Sequence, residues 1–505
     1  MKILLTTLNS KYVHMNLALR YLYEAAARRG FRTELFEFTV NNDDGYIDTE
    51  LIRGAYDVIC FSCYVWNVRR ILTLAKTIKA ARPETQIVLG GPEVSFDAER
   101  LLAEHGSVDF ILTGEGELSF PLLLEQLEKK EDGHFESVPG LCWRKRGAVI
   151  AANPEGALPG FEAIPFPYES LPCPRDKVIY YETVRGCPFR CAYCLSALER
   201  GLRVMPMERV KRELDFFLAQ RVMQVKFVDR TFNYDVRRCA EIIQYILDHD
   251  NGVTNFHLEI CGDLIDDATV ALLGRARNGL FQLEIGVQTT NAKTLAAIHR
   301  SCDLRMLSYQ VGRIRRFGTV HLHLDLIAGL PAEDFLSFRN SFNDIYALMP
   351  DALQLGFLKL LPGTPLRKAA AEYGYVFREY APYEVIASSV LSADGLARLK
   401  MIENVFELYY NRGGFSETLR EACGGYETPF DFYEELASFY YLKGYQHRPH
   451  RKEDLYRILR AFFLWKYKKE PERGQTLCDW LRRDLHAAMN PEAVKKFEKK
   501  GWDLP

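Results

Sequence analysis

The 505-residue chain has no long apolar run, no internal repeat, no low-complexity tract and no block of like charge. Without about 18 consecutive apolar residues there is no candidate membrane span. The opening Met1-Lys2-Ile3-Leu4-Leu5 is too short an apolar run for a secretory signal, so a cytoplasmic protein with no membrane partner is expected. A formal net charge of -2 gives no global pull toward nucleic acid or an anionic surface. Twelve cysteines are scattered through a large chain rather than crowded into a small secreted one, which predicts reduced thiols and not a disulfide framework. What remains is an ordinary globular composition, 48% apolar and 26% charged, in a chain long enough for about three domains.

Residues 1–150 alternate short apolar runs with helical patterns. The runs are Lys2–Leu8, Thr33–Phe38, Val58–Ser62, Ile87–Gly90 and Phe110–Thr113, and the helical patterns are Leu17–Ala27, Val68–Ala81 and Phe120–Lys130. This alternation predicts a doubly wound parallel α/β sheet. Ligands on such sheets bind beyond the carboxyl ends of the strands. There the chain has Ser62-Cys63-Tyr64-Val65-Trp66-Asn67, Gly90-Gly91-Pro92-Glu93 and Gly114-Glu115-Gly116-Glu117. Glycines at these points let backbone approach a large flat ligand, although Gly-Gly turns also close many such units for steric reasons alone. Cys60 and Cys63 form a Cys-x2-Cys pair. Cys60 alternates within a buried strand and reads as a small hydrophobe, while Cys63 stands at the strand end.

Residues 151–176, with six prolines and two glycines, read as a linker. Six strand patterns follow over 177–375: Val178–Val184, Val225–Val228, Phe256–Ile260, Phe281–Val287, His321–Ile327 and Leu353–Leu358. Helical runs such as Met207–Gln220 and Cys239–His249 lie between them, giving a βα barrel short of eight units. Asp229, Glu259, Glu284, Gln288 and Asp325 fall at or near strand ends, where polar residues face a barrel's mouth; each can equally be a paired structural group. Residues 376–505 turn to aromatic-rich helices. Within them, 441–505 hold 16 Lys and Arg against 9 Asp and Glu, a pattern that binds a nucleic acid backbone in some proteins and in others is a solvated helix face.

Thr183-Val184-Arg185-Gly186-Cys187-Pro188-Phe189-Arg190-Cys191-Ala192-Tyr193-Cys194 is the stretch around which the rest is arranged. Zinc would need a fourth ligand at short offset, and after Cys194 none comes before Cys239 and His257. Buried free thiols are the plain alternative. A [4Fe–4S] cluster held by three thiolates, Cys187, Cys191 and Cys194, keeps one iron open for a chelating small molecule.

With Tyr193 before the last cysteine, this loop resembles the signature of the radical S-adenosylmethionine (SAM) superfamily. With Gly90-Gly91-Pro92 and Gly114-Glu115-Gly116-Glu117 ahead of it, the chain resembles the radical SAM enzymes that carry a cobalamin (B12)-binding domain. That resemblance implies an N-terminal Rossmann-like cobalamin-binding domain (1–150), a linker (151–176), a partial (βα)6 TIM-like barrel with its [4Fe–4S] cluster (177–375) and a helical C-terminal domain (376–505). It implies SAM contacts at Tyr193, Asp229, Glu259, Glu284, Gln288 and Gly329. Cobalamin contacts are implied at Ser62, Gly90, Gly91, Pro92, Glu93, Gly114, Glu115 and Gly116. The activity implied is methyl transfer to an unactivated carbon through a 5'-deoxyadenosyl radical and methylcobalamin, with a one-electron donor such as flavodoxin or ferredoxin. Oxidation, rearrangement or cyclisation without methyl transfer is the alternative, and a cobalamin or redox sensor a further one. The substrate is a small molecule, a peptide or an RNA. The loop Asn9 to Asn16 lacks the Asp-x-His-x-x-Gly of many corrinoid methyltransferases, so His14 is expected to hydrogen-bond or pack rather than to meet cobalt.

Overall fold

The computed structural model describes residues 1–129, 134–145, 149–198 and 201–502. The chain divides into two compact units, one of residues 1–283, 359–369 and 378–384, the other of 284–358, 370–377 and 385–505.

The first unit opens with a seven-stranded sheet of β1 (Ile3–Asn9), β2 (Thr33–Thr39), β3 (Val58–Ser62), β4 (Gln86–Gly90), β5 (Phe110–Leu112), β6 (Leu141–Lys145) and β7 (Val149–Ala152). Their order is β2-β1-β3-β4-β5-β6-β7. The first five run parallel, as the alternating pattern predicts, while β6 and β7 add an antiparallel hairpin on the β5 side. Strands β1, β3 and β5 are buried throughout, which is why they read as continuous apolar runs rather than as alternation. Alternate residues serve opposite cores. Leu4, Ile59, Phe61, Ile87 and Leu89 pack with Ile71, Ala75 and Ile78 of the helix Val68–Ala81, whereas Ile3, Leu5, Val58, Cys60 and Val88 pack with Leu19, Phe120 and Leu124. Each such side chain contributes roughly 1.5–3 kcal/mol by leaving water. Cys60 is one of them, and burial raises its thiol well above the usual range, so it is the apolar filler expected.

The helix expected over Phe120–Lys130 runs instead over Gly116–Glu128, with Lys130 outside the described residues. The second half of the Gly-Glu-Gly-Glu motif is therefore helical. A Cβ on Gly116 would stand 2.8 Å from Leu22, so this glycine lets two helices approach.

Beyond the linker lie β8 (Ile179–Tyr181), a two-stranded antiparallel hairpin of β9 (Val184–Arg185) and β10 (Arg203–Val204), then β11 (Gln224–Phe227), β12 (Asn255–Ile260), β13 (Phe281–Gln288), β14 (His321–Ala328) and β15 (Ala352–Phe357). In the first unit β11 pairs in parallel with β8 and β12, in the second β14 pairs in parallel with β15, and the boundary between the units falls inside β13. The first expected strand, Val178–Val184, is thus two pieces, because the chain leaves the sheet after Tyr181 to enter the cysteine loop.

In the second unit, the C-terminal region opens with short antiparallel strands β16 (Val376–Phe377) and β17 (Val385–Ala387), which the sequence pattern does not show. It continues with six helices from Ala393–Phe406 to Pro491–Lys500. A π turn, Glu407–Asn411, extends the first of these, and Asn411 Oδ1 and Nδ2 bond both backbone groups of Leu353 on β15 at 3.0 Å. Phe342, Phe406, Phe430 and Tyr433 make an edge-to-face aromatic core.

Gly91 marks the tightest point of the first sheet. Its φ is +105°, and a Cβ would lie 2.6 Å from the Cys63 carbonyl oxygen, while the Cys63 N–H donates to Gly90 O at 2.7 Å. Gly91→Ala is expected to destabilise the first unit by about 1–3 kcal/mol, seen as a lowered urea midpoint, whereas Gly90→Ala, which has room, should change it far less.

Candidate functional site

The cysteine loop is an excursion closed at its base by the β9–β10 hairpin, in which Arg185 pairs with Arg203 and Val184 with Val204. Gly186 carries the turn. Its φ is +93°, and a Cβ there would run into the Gly201 carbonyl at 2.1 Å. Cys191 is buried, Cys187 and Cys194 are half-buried, and Tyr193 between them is half-buried. The Cys194 N–H donates to Cys191 O at 3.1 Å, and Cys187 Sγ lies 3.7 Å from Thr231 Oγ1. All three thiols are free of disulfides. Among the described residues no three His, Cys, Asp or Glu side chains gather around one point as a single metal ion requires. Three thiols on one loop suit a cluster, where each sulfur meets its own iron.

Asp229, at the end of β11, holds the entrance to this loop. Its Oδ1 accepts from the N–H groups of Thr183 (2.6 Å) and Val184 (3.1 Å), and its Oδ2 accepts from Thr183 Oγ1 at 2.5 Å. Burial raises its carboxyl to about 7 against the pull of those hydrogen bonds. Both oxygens accept from the entrance of the chain's own loop, so Asp229, a residue expected at SAM, also supports that loop. Glu259, on β12, pairs with Lys226 Nζ at 3.2 Å and remains partly exposed.

The Gly-Glu-Gly-Glu motif also turns toward the loop. Arg185, one residue before Gly186, pairs with Glu115 (2.7 Å), Glu117 (2.5 Å) and Glu182 (2.7 Å), and lies 5.2 Å from the centre of the Tyr21 ring. Arg203, across the hairpin, holds the other Glu115 oxygen. Burial pushes the Glu115 carboxyl up, but Arg203 and Arg185 outweigh it and leave the group below the usual carboxylate range. Glu115, a residue expected at the corrin, also clamps the motif to the base of the cysteine loop. The arginines that complete this network were not singled out from sequence. Their signal is two cations flanking the cysteine loop and two carboxylates in a motif that carries no other cation.

Around the remaining strand ends, Ser62 is buried and its Oγ accepts from Asn16 Nδ2 at 3.3 Å. Beside it Tyr64 and Trp66 stack at 4.5 Å, with Trp66 48% exposed, leaving a flat aromatic surface in the loop after β3. Gly90 and Gly91 are half-buried, while Pro92 and Gly114 are exposed. Glu93 accepts from the Tyr383 hydroxyl, and burial raises its carboxyl above the usual range. These groups fit a large flat cofactor in the exposed aromatic face and the open glycine turn, and the Gly91 Cβ space belongs to protein packing. His14 Nδ1 lies 2.7 Å from the Tyr180 hydroxyl, the hydrogen-bonding role expected of it. Burial, then Lys11, lowers its pKa.

In the second unit, Glu284 and Gln288 lie on β13 and are half-buried, and Asp325 on β14 pairs with His323 at 3.2 Å. Gln288 has φ +75°, and its Oε1 is buried without a hydrogen-bond partner among the described residues. A buried orphan acceptor at the end of a barrel strand is what a ligand donor would complete. Its backbone is held by its neighbour: Thr289 Oγ1 donates to Glu333 Oε1 at 2.6 Å, and Ser341 Oγ donates to the same oxygen at 3.0 Å. Gly329, with φ +91°, begins the turn that leads to Glu333, and its carbonyl accepts from Tyr375 Oη at 2.9 Å. Burial raises the Glu333 carboxyl to about 7.

Three family models match in series. The B12 binding domain matches residues 3–124, the radical SAM superfamily residues 181–345, and a family of proteins of unknown function (DUF4080) residues 371–503. The chain thus carries a B12-binding domain followed by a radical SAM domain, which imply cobalamin, a [4Fe–4S] cluster and SAM as cofactors. Among curated proteins it is 28% identical over 343 residues to 2-(S-pantetheinyl)-carbapenam-3-carboxylate methyltransferase of Streptantibioticus cattleyicolor, covering 64% of this chain and 50% of that one. It is 32% identical over 307 residues to hopanoid C-3 methylase of Methylococcus capsulatus, covering 57% and 56%. The chain spans about half the length of the curated relatives it matches. In fold it is similar to the cobalamin-dependent SAM radical enzyme OxsB, at TM-score 0.66 and 14% identity over 99% of this chain and 83% of that one.

Two outcomes follow. Arg185→Met leaves Glu117 and Glu182 without their cation and Glu115 with Arg203 alone, a loss of about 3–5 kcal/mol. The purified variant should retain less iron than the parent after anaerobic reconstitution, with Arg185→Lys intermediate. Glu333 stays protonated in the folded chain up to about pH 7 but ionises near 4.5 when unfolded. Its contribution is therefore present at acidic pH and lost as pH rises from about 4.5 to about 7, at up to about 1.4 kcal/mol per unit. Glu333→Gln should flatten the pH dependence of the urea midpoint over that window.

Proposed function

We propose that this chain is a cobalamin-dependent radical SAM enzyme that transfers a methyl group to an unactivated carbon. The observation that carries the reading is the ion-paired junction, within one compact unit, between a B12-binding domain's Gly-Glu-Gly-Glu turn and the base of a three-cysteine loop. The methyltransferase and methylase names of the matched relatives support methylation as the outcome. When bound, the cluster and SAM supply a carbon-centred radical and cobalamin supplies a transferable methyl group.

Cys187, Cys191 and Cys194 hold the cluster, and Gly186 with the β9–β10 hairpin fixes their loop. Asp229, assigned to SAM as well, and Arg185 position that loop. The assignment of Tyr193, Glu259, Glu284, Gln288 and Gly329 to SAM rests on their places in the sequence pattern, and for Gln288 on its unmet acceptor. Ser62, Gly90, Gly91, Pro92, Glu93, Gly114, Glu115 and Gly116, with the Trp66 face, are assigned to cobalamin. A carboxylate or amide suits the ammonium and hydroxyl groups of SAM, and an exposed aromatic face suits a flat macrocycle. The substrate is of a class still to be identified, the electron source is a one-electron donor such as flavodoxin or ferredoxin, and the protein works in the cytoplasm. Among the described residues no helix is long and apolar enough to cross a membrane.

The test is anaerobic reconstitution of the full chain with methyl-deuterated SAM and fractionated cell metabolites. Deoxyadenosine should form together with a product carrying the label, and Cys191→Ala should reduce both by more than about 100-fold, equivalent to over 2.7 kcal/mol in the barrier. Deoxyadenosine with label confined to methionine would remove methyl transfer and leave a non-methylating radical reaction.

A further inference from the structure

The Pro-rich linker and the edge of the first sheet enclose a cleft of about 570 Å³ that the proposed reaction does not use. It lies along β2, the outermost strand, with Leu35 and Leu51 on one side and Leu171 and Pro174 on the other. Arg20, from the helix Leu17–Arg28, stands in its wall and is only 5% exposed. One guanidinium nitrogen, Nη2, donates to Pro172 O at 3.1 Å, and the group lies 4.9 Å from the centre of the Tyr168 ring.

Nε and Nη1 of Arg20 are buried and have no acceptor among the described residues, and Thr33 Oγ1 in the same cleft is likewise buried without a partner. The carboxylates on adjoining elements are engaged elsewhere. Glu24, one turn along the same helix, accepts from the Ser170 N–H and Oγ at 2.9 and 2.8 Å. Glu37 accepts from Asn9 and Asn16 and feels the Arg20 charge, but makes no hydrogen bond to the guanidinium. Of the two carboxylates lining the cleft itself, Glu34 is paired with Lys2 at 3.5 Å and accepts from Tyr56, and Glu50 is paired with Arg53 at 3.9 Å. A buried cation with unmet donors is costly to keep, and the usual remedy is an anion that takes the guanidinium in a two-pronged hydrogen bond.

We propose that this cleft binds a small organic anion, its carboxylate or phosphate head taken by Arg20 and Thr33 and its apolar body lying against Leu35, Leu51 and Leu171. Because one wall is the linker, the ligand fastens the linker to the edge strand, at a place separate from the cysteine loop and the strand-end loops. The binding needs neither cluster nor cobalamin.

The experiment is equilibrium dialysis and thermal unfolding of the full chain with octanoate, octyl phosphate and inorganic phosphate. One octyl probe should bind saturably and raise the unfolding temperature, and the tighter of the two tells carboxylate from phosphate. Inorganic phosphate should bind at least tenfold more weakly than octyl phosphate; equal binding overturns the apolar part of the site. Arg20→Met should lower affinity for the preferred probe at least tenfold and Thr33→Val at least threefold. Absence of saturable binding by both octyl probes, or unchanged affinity in Arg20→Met, overturns the proposal. Should Arg20→Met fail to fold, Arg20→Lys and Thr33→Val decide it, and unchanged affinity in both overturns it.

Discussion

The charge network on Arg185 is the constraint on which the candidate site depends. A guanidinium only 11% exposed is surrounded by Glu115, Glu117 and Glu182, with Arg203 sharing Glu115. Such a group is tolerable away from water only with its partners in place, because the desolvation of each charge is offset chiefly by the others. The consequence is mechanical. The turn after β5 and the residue that leads into Gly186 are held to one another, and a cysteine loop that would otherwise be an open excursion has a fixed base.

Asp229 adds a second restraint from the opposite side of the same entrance. Its carboxylate receives two backbone N–H groups and a hydroxyl from Thr183 and Val184, so β11 and the loop entry are joined by three hydrogen bonds. Gly186 then makes the turn that no residue with a Cβ could make beside Gly201. Radical chemistry at a cluster needs its ligands held in place while small molecules exchange at the open iron. Here that order comes from ion pairs and backbone bonds a few residues away from the thiols.

Much of the fold was legible in the residues, and the reason differs between elements. The parallel strands of the first sheet are buried on both faces, so Val58–Ser62 and Phe110–Leu112 read as unbroken apolar runs. The antiparallel β6–β7 hairpin and the short β16–β17 pair were not read, since two to five residues carry too little periodicity to stand out. The cysteines were legible because three identical ligands at fixed short spacing are rare by chance. The protein partners of Glu115 and Asp229 were not legible, because a lone carboxylate does not reveal that it meets an arginine 70 residues away or the backbone of a distant loop. Glu333 and Thr289 carried no signal, as a buried Glu–Thr–Ser contact is assembled from residues common on any surface.

The sequence by itself determined the order of the domains, the three thiols and the glycines that flank them, since these follow from local spacing and from backbone freedom at single positions. Only the tertiary structure decided which charges meet. Arg185 and Arg203 find Glu115 and Glu117, Asp229 finds Thr183, and Arg20 is left beside a cleft with two donors unmet. Pairing of buried charges depends on distance in space and on the absence of water between them, and neither quantity is written in the spacing of residues along a chain.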